Sequence, residues 1–466
     1  MPRTARTTLR PLAILLALTL GTVEARAEQG HADPAGWLRS GPMLGPAEIT
    51  GTSIWLQTIA PRRVQVRFWE ADRPETARLS DEVQTTAAGD HIARFQFSGL
   101  RFGTRYEYEV YLDGVRVARP YPLAFQTQPM WRWRGDPPAF RAAIGSCSYV
   151  NDPPFDRPPT AERPEPYGGD PAIFSAIAAQ KPDFMLWLGD NVYYREPDWL
   201  SEPAMRYRWR NDRGLPELQP LLGASHHYAI WDDHDYGSND SDRSFRGKEV
   251  SLRVFRDYWL NPSYGTAETP GVFTRFEWAD VEVFLLDARY HRSPNHLPDG
   301  PDKRMFGREQ LRWLEEALAS SQATFKIVAG GNQFLNPLVF YEGFGKFPAE
   351  QRELLDFLRA AKVEGVVFLS GDRHHTELIR RREPGLYPLY DFTSSPLTSG
   401  VHEAGKEAEN PARVPGTLVT SARNFGLLEV AGKTGERTLT LRTLDATGKE
   451  LWRHEIRQGE LRFPKQ

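Results

Sequence analysis

Only one cysteine, Cys147, occurs in the 466 residues, so no disulfide can form within the chain. A lone thiol is either a buried, inert core residue or a ligand or nucleophile, and its neighbours decide between them. Charge of one sign is also lacking. The 58 basic and 61 acidic side chains leave a formal net charge of -3 with no long run of either sign, which speaks against a nucleic-acid partner. Missing as well is the stretch of about 20 apolar residues that a membrane-spanning helix needs. There is no internal repeat and no Gly-x-Ser-x-Gly nucleophile elbow.

Aromatic and turn-forming residues are plentiful, with 13 Trp, 37 Pro and 38 Gly, a composition that suits a loop-rich enzyme better than a helical bundle. Residues 1–27 read as a secretory leader. Arg3, Arg6 and Arg10 precede the apolar stretch Leu12 to Leu20, and Ala25-Arg26-Ala27 supplies a small-x-small cleavage site. The expected location is therefore periplasmic or secreted by the general route, with cleavage near Ala27. Residues 35–127 show the two-residue period of half-buried strands, as in Val64, Val66 and Phe68. Leu100 to Val110 resembles the tyrosine corner of a fibronectin-type sandwich, and Asp113-Gly114 marks a hairpin. No ligand or nucleophile cluster occurs in that segment. A small all-β, fibronectin- or Ig-like sandwich domain is predicted over 35–127, a linker over 128–138, and a catalytic domain over 139–460.

In the catalytic part, continuous apolar runs (Phe184 to Leu188, His227 to Trp231, Val281 to Leu286, Phe325 to Ala329, Gly365 to Ser370) alternate with helical stretches at Pro171 to Gln180, Phe306 to Ser320 and Ala349 to Lys362. The alternation predicts an α/β (α+β) sandwich of sheets flanked by helices, with its site at the strand ends. Strands return between Asn424 and Ile456. Residues 150–169 and 291–304 are expected to be surface loops that shape access to the site.

Polar clusters follow directly on these runs. Gly145-Ser146-Cys147, Gly189-Asp190-Asn191-Val192-Tyr193, Asp232-Asp233-His234-Asp235, Gly330-Gly331-Asn332-Gln333 and Gly371-Asp372-Arg373-His374 each stand where a strand ends. At one sheet edge they would crowd thiol, phenol, imidazole and carboxylate groups together. Buried carboxylates so close repel one another unless cations lie between them. Thiolate, phenolate and imidazole suit a transition metal, whereas carboxylate and amide oxygens suit a harder divalent ion.

In this order, and with Thr393-Ser394-Ser395-Pro396-Leu397-Thr398 following, these motifs resemble the PhoD-like alkaline phosphatases of the calcineurin-type metallophosphoesterase superfamily. The resemblance spans Arg141 to about Val430. It implies that Cys147, Asp190, Tyr193 and His374 hold a first metal, ferric iron. It further implies that Asp190 bridges to a second site completed by Asp233, Asp372 and a residue of the Asn332-Gln333 pair, for which Asn332 is taken. The second ion is then calcium or another divalent cation, and His234 is the catalytic imidazole. Tyr193 is preferred to Tyr194 by its spacing from Asp190, and His374 to His375 by its spacing from Asp372. The implied reaction is in-line attack of a metal-held hydroxide on a small phosphate monoester, with diesters also accepted. The chain departs from the commoner superfamily pattern by having Cys147 in place of Asp-x-His and Asp372 in place of the first histidine of Gly-His-x-His.

Other assignments stay open at this level. Asp232 and Asp235 can orient His234 or bind loop amides. Arg289 and Arg373 can clamp phosphate or pair internally. His226, His227, His291 and His296 follow no pattern and are taken as structural. Rival readings are a dedicated phosphodiesterase or phospholipase D-type enzyme with the same centre, an adhesion protein working through the sandwich, and a hydrolase with Ser146 or Cys147 as nucleophile.

Overall fold

The continuous apolar runs become strands covered on both faces, as expected for parallel sheets between layers. Phe184–Leu188, His226–Ile230, Val281–Leu285, Phe325–Ala329 and Val366–Ser370 are each buried at every position. In this computed structural model, which describes residues 34–463 apart from 157, 159 and 161–163, they belong to two sheets. The expected leader, residues 1–27, lies outside the described residues.

The first sheet has nine strands. Its parallel centre is Phe140–Gly145, Phe184–Leu188 and His226–Ile230, paired in that order. Three antiparallel strands, Asn424–Ala431, Thr438–Asp445 and Glu450–Arg457, extend it on the Phe140 side. The second sheet has six strands, with Val281–Leu285, Phe325–Ala329, Val366–Ser370 and Leu389–Thr393 parallel at its centre. Aromatic rings join the two: Phe276 stacks on Tyr228 at 3.5 Å, and Trp278 lies 4.9 Å from Phe184. Such pairs contribute about 1 kcal/mol beyond the area they bury. The helices Arg308–Ser320 and Pro348–Ala360 bury Leu311, Leu314 and Leu318, and Leu354, Leu355 and Leu358, the spacing of one helical face.

The N-terminal strands are not hydrogen-bonded only among themselves. Leu38–Ala47 runs parallel to His226–Ile230, with Leu44 opposite His226, and Thr52–Thr58 and Ile92–Phe97 follow it outward in the nine-stranded sheet. A separate sheet built on Arg63–Glu70 and Arg105–Leu112 covers their outer face. Ile54 and Leu56 pack in the small core that also holds Val66, Phe68, Tyr106 and Tyr108, whereas Met43 and Trp55 pack in the large one. Thr52–Thr58 therefore shows no alternation of burial, because a core lies on each side of it. The tyrosine corner is present: the Arg101 amide donates to Tyr106 Oη at 2.9 Å. The stretch 128–138 is a change of texture along the chain across which this sheet is continuous.

Candidate metal centre

Each parallel strand delivers its following loop to one place. Gly145, Leu188 and Ile230 close neighbouring strands of the first sheet, and Ala329 and Ser370 close neighbouring strands of the second. The turns are tight. Cys147, Asp190, Asp372 and His374 have φ of 62°, 51°, 66° and 55°, in the left-handed region that non-glycine residues rarely adopt. Four such residues in three clustered loops, two of them in the loop after Ser370, indicate backbone shaped for function and held by its surroundings. Gly371 shows how closely the loops approach. A Cβ there would lie 2.7 Å from Ser146 Cβ and 2.8 Å from the Leu188 carbonyl oxygen.

Three groups of donors result, each with its atoms within 4.8 Å of one another: Cys147, Asp190 and His374; Asp190, Asp233 and His234; and Asp233, Asp240 and Glu342. Asp190 and Asp233 each belong to two groups, so the three form a chain. Cys147 Sγ lies 3.6 Å from Asp190 Oδ2, and Tyr193 Oη 3.3 Å from His374 Nε2. Tyr193 also stacks on the half-buried His234, ring centres 4.2 Å apart. Tyr194 turns into the core, where its hydroxyl accepts from Trp209 Nε1. Among the two histidines at 374 and 375, the structure brings His374 to Cys147 and Asp190. His374 Nδ1 faces the Gly400 carbonyl at 2.6 Å. A carbonyl only accepts, so Nδ1 carries the proton and Nε2 keeps its lone pair toward the centre.

Asp372 lies outside the three groups, yet it faces them. Burial, with Glu342 and Asp233 nearby, pushes its carboxyl up to about 6 against the opposing Arg373. Asn332 is hydrogen-bonded at both ends: Nδ2 donates to Asp232 Oδ2 at 3.2 Å, and Oδ1 accepts from Arg292 Nη1 at 3.0 Å. Gln333 points away, toward Glu377 and Thr393. Asp235 binds loop amides, accepting from Asn191 N and Asp232 N. Arg289 is fully buried and pairs with Asp232 at 2.5 Å and Glu342 at 2.6 Å, while Arg373 pairs with Glu407 and stacks on Tyr341. Both arginines are thus engaged internally. His226 and His227 bond to the Gly45 and Leu221 carbonyls, as structural histidines do.

The electrostatics test whether these residues fit a bound cation. Burial raises Asp190 far above the usual carboxylate range, and Asp233, Cys147, Asp232 and Asp235 raise it further. Burial likewise pushes the Cys147 thiol up to about 12 against hydrogen bonds from Ser146 and Ser395. Asp233 is the exception. Burial opposes its charge, but His234 and Arg289 hold it below the ordinary value. Its Oδ1 is buried without a hydrogen-bond donor, and Arg289 Nη2 stands 3.7 Å away. An orphaned, ionised oxygen beside carboxyls that the protein does not neutralise is what a cation site offers. The donor set of sulfur, phenol, imidazole and carboxylate fits metal ions. Cys147 has no exposed surface, which leaves a substrate no access to it as a nucleophile.

Asp240, Glu342 and Gly400 have no part in the sequence reading, and Ser395 enters it only within a motif, with no role of its own. Ser395 Oγ accepts from the His374 amide at 3.0 Å and donates to Cys147 Sγ at 3.2 Å, so it ties two donors together. Its signal was the Thr393 to Thr398 motif. Glu342, a lone acid in an aromatic loop, had none. The loop 291–304 is more buried than expected, because Arg292 reaches inward to Asn332 and Glu342.

The PhoD-like phosphatase family matches residues 164–448, more than half of the chain, and a domain of unknown function (DUF7800) matches residues 35–130. Alkaline phosphatase D of Bacillus subtilis (strain 168) is 21% identical over an alignment 290 positions long that covers 51% of this chain and 49% of that protein. The alignment thus spans about half the length of that curated relative. The solved structure of PhoD superposes with a TM-score of 0.71 at 16% identity, covering 91% of each chain. Purple acid phosphatase PPD1 from yellow lupin (Lupinus luteus) gives 0.59 at 12% identity, over 89% of this chain and 74% of that one. At such identities the two structures speak for the fold alone.

Proposed function

The chain belongs to the PhoD-like phosphatase family, and on that basis we propose that it is a metal-dependent hydrolase of small phosphate monoesters and diesters. The carrying observation is the chain of donor groups in which Asp190 and Asp233 are shared, since a shared carboxylate is what two adjacent cations require. We assign Cys147, Asp190, Tyr193 and His374 to a first site taking ferric iron. Asp190, Asp233, Asp372 and Asn332 form a second site taking calcium or another divalent ion. Cations bound there would lower the pKa of water and neutralise charge on the phosphoryl oxygens.

The chain's own residues do the rest. The Gly400 carbonyl fixes the His374 tautomer. Arg292 holds the Asn332 amide oxygen in place, and Asp235 holds the loop of Asp190 through the Asn191 amide. His234, half-buried and stacked on Tyr193, is assigned to give a proton to the leaving oxygen. Residues 35–127 form an accessory region and 139–460 the catalytic one. The leader places the enzyme in the periplasm or outside the cell.

Elemental analysis with a visible spectrum tests the centre. Iron together with an absorption band from phenolate or thiolate ligation is expected, and a colourless, iron-free, active enzyme would reject the first-site assignment. Rates on a monoester and a diester test the substrate class, and failure on every monoester would leave a dedicated diesterase.

A further inference from the structure

At the opposite ends of the central strands from the metal centre, the stretch between the accessory and catalytic regions carries Trp133. It is 91% exposed and has a φ of 61°. Neither property serves the fold: the indole buries almost nothing, and the left-handed backbone is unfavourable for a residue with a Cβ. The turn is nevertheless held rigidly. Arg134 N and Gly135 N both bond back to the Trp131 carbonyl. Before it, Gln128 binds the Glu277 carbonyl at 2.8 Å and the Ala279 amide at 3.1 Å. After it, buried Arg437 binds the carbonyls of Pro137 and Pro138 and pairs with Asp280. An exposed aromatic on a backbone moored at both ends is a preorganised contact, because ordering it on binding costs little.

Beside it lies a groove of about 220 Å³, with Trp131 and Trp133 among its walls and Glu277, Gln322, Thr324 and Thr434 among its polar lining. The charges around it are balanced. Arg132 faces Glu277, Asp280 is neutralised by Arg437, and Asp136 has the Lys433 and Arg437 cations nearby. Balanced charge speaks against an anionic lipid surface or polyanion, which would call for a basic excess. Indole faces with amide, hydroxyl and carboxylate groups at their margin match a sugar ring, apolar on its faces and hydroxylated at its edge. We propose that this groove binds a neutral glycan, one ring stacking on Trp133, and so anchors the protein at a distance from its metal centre.

Native electrophoresis through gels containing xylan, mixed-linkage β-glucan or dextran tests this, with Trp133→Ala and Trp133→Phe compared with the full wild-type chain. At least one polysaccharide should retard the wild type. Trp133→Ala should weaken that binding at least about tenfold, with Trp133→Phe between. Because the side chain is exposed, both variants should melt with the wild type, which separates lost binding from lost folding. No retardation of the wild type by any of the three would overturn the proposal, as would undiminished retardation of Trp133→Ala. Trp133-dependent sedimentation with phosphatidylglycerol vesicles, without glycan binding, would also overturn it and point to a membrane surface.

Discussion

The two ends of the strand His226–Ile230 solve the same problem differently. At its start, His226 and His227 are buried as neutral imidazoles. Burial drives them down to about 4 and about 3, and each bonds to a backbone carbonyl. Just past its end, Asp232, Asp233 and Asp235 are buried with Asp190 close by; burial raises Asp232 and Asp235, whereas His234 and Arg289 hold Asp233 below the ordinary value. At the first end no charge is left over: His227 bonds through both ring nitrogens, and the partnerless Nε2 of His226 belongs to a neutral ring. The second is satisfied only in part: Arg289 answers Asp232 and loop amides answer Asp235, but one oxygen of Asp233 has no donor, and Asp190 accepts from the His234 amide and the Cys147 thiol, neither of which carries positive charge. Burial of polar groups alone therefore does not mark a site, whereas burial that the protein leaves uncompensated does.

That contrast can be broken most sharply at Asp190. Asp190→Asn should lower kcat by about 10³-fold or more, above the 10–100-fold that outer partners of a metal are worth, and bleach the visible band. Steady-state rates and metal analysis check it, and a variant retaining both would remove Asp190 from the centre. His234→Gln should cost about 10²-fold in kcat while metal content stays unchanged, as for loss of a proton donor. Loss of metal instead would make His234 a ligand. Arg289→Met removes a cation that pairs with both Asp232 and Glu342 and leaves Glu342 its second partner, Arg292. Stripping a buried pair of its partner should destabilise by about 3–5 kcal/mol, read from urea unfolding. Little change would mean that these acids are balanced in another way.

The histidine end predicts an effect that is small near neutral pH and grows with acid. Both imidazoles have folded pKa values below that of a free histidine, about 6.5. The unfolded chain therefore binds more protons, and stability falls as pH drops from about 6.5 toward about 4. The slope is up to about 1.4 kcal/mol per pH unit for each histidine. Melting temperatures from pH 7 to pH 5 check this. His226→Gln should flatten the slope without changing metal content.

Much of the architecture could be read in advance where it rests on local pattern. The buried strands at Phe184–Leu188 and Phe325–Ala329 match their apolar runs, since a run of that length has no polar face to show. The clusters after the strands also came together, because loops at the ends of neighbouring parallel strands have no other place to go. Legibility failed where a residue's role is set by a partner far along the chain. The sequence leaves Arg289 and Arg373 open between clamping phosphate and pairing internally, and the structure pairs them with Asp232, Glu342 and Glu407. The accessory region is all-β as its alternation predicts, but the parallel pairing of Leu44 with His226, which joins Leu38–Ala47, Thr52–Thr58 and Ile92–Phe97 to the main sheet, has no local signal.

Residue types and their spacing were enough to specify the strands, the loops that carry donors and the chemistry of the donor set, because those depend on neighbours a few positions away. How the donor groups overlap in space, which arginine answers which acid and which imidazole nitrogen is left with its lone pair followed only from contacts between distant loops. Asp240 and Glu342 join Asp233, and Gly400 joins His374, by packing alone. The physical reason is that charge compensation in a buried site depends on distances of a few ångströms, and the fold, not the order of residues, sets those distances.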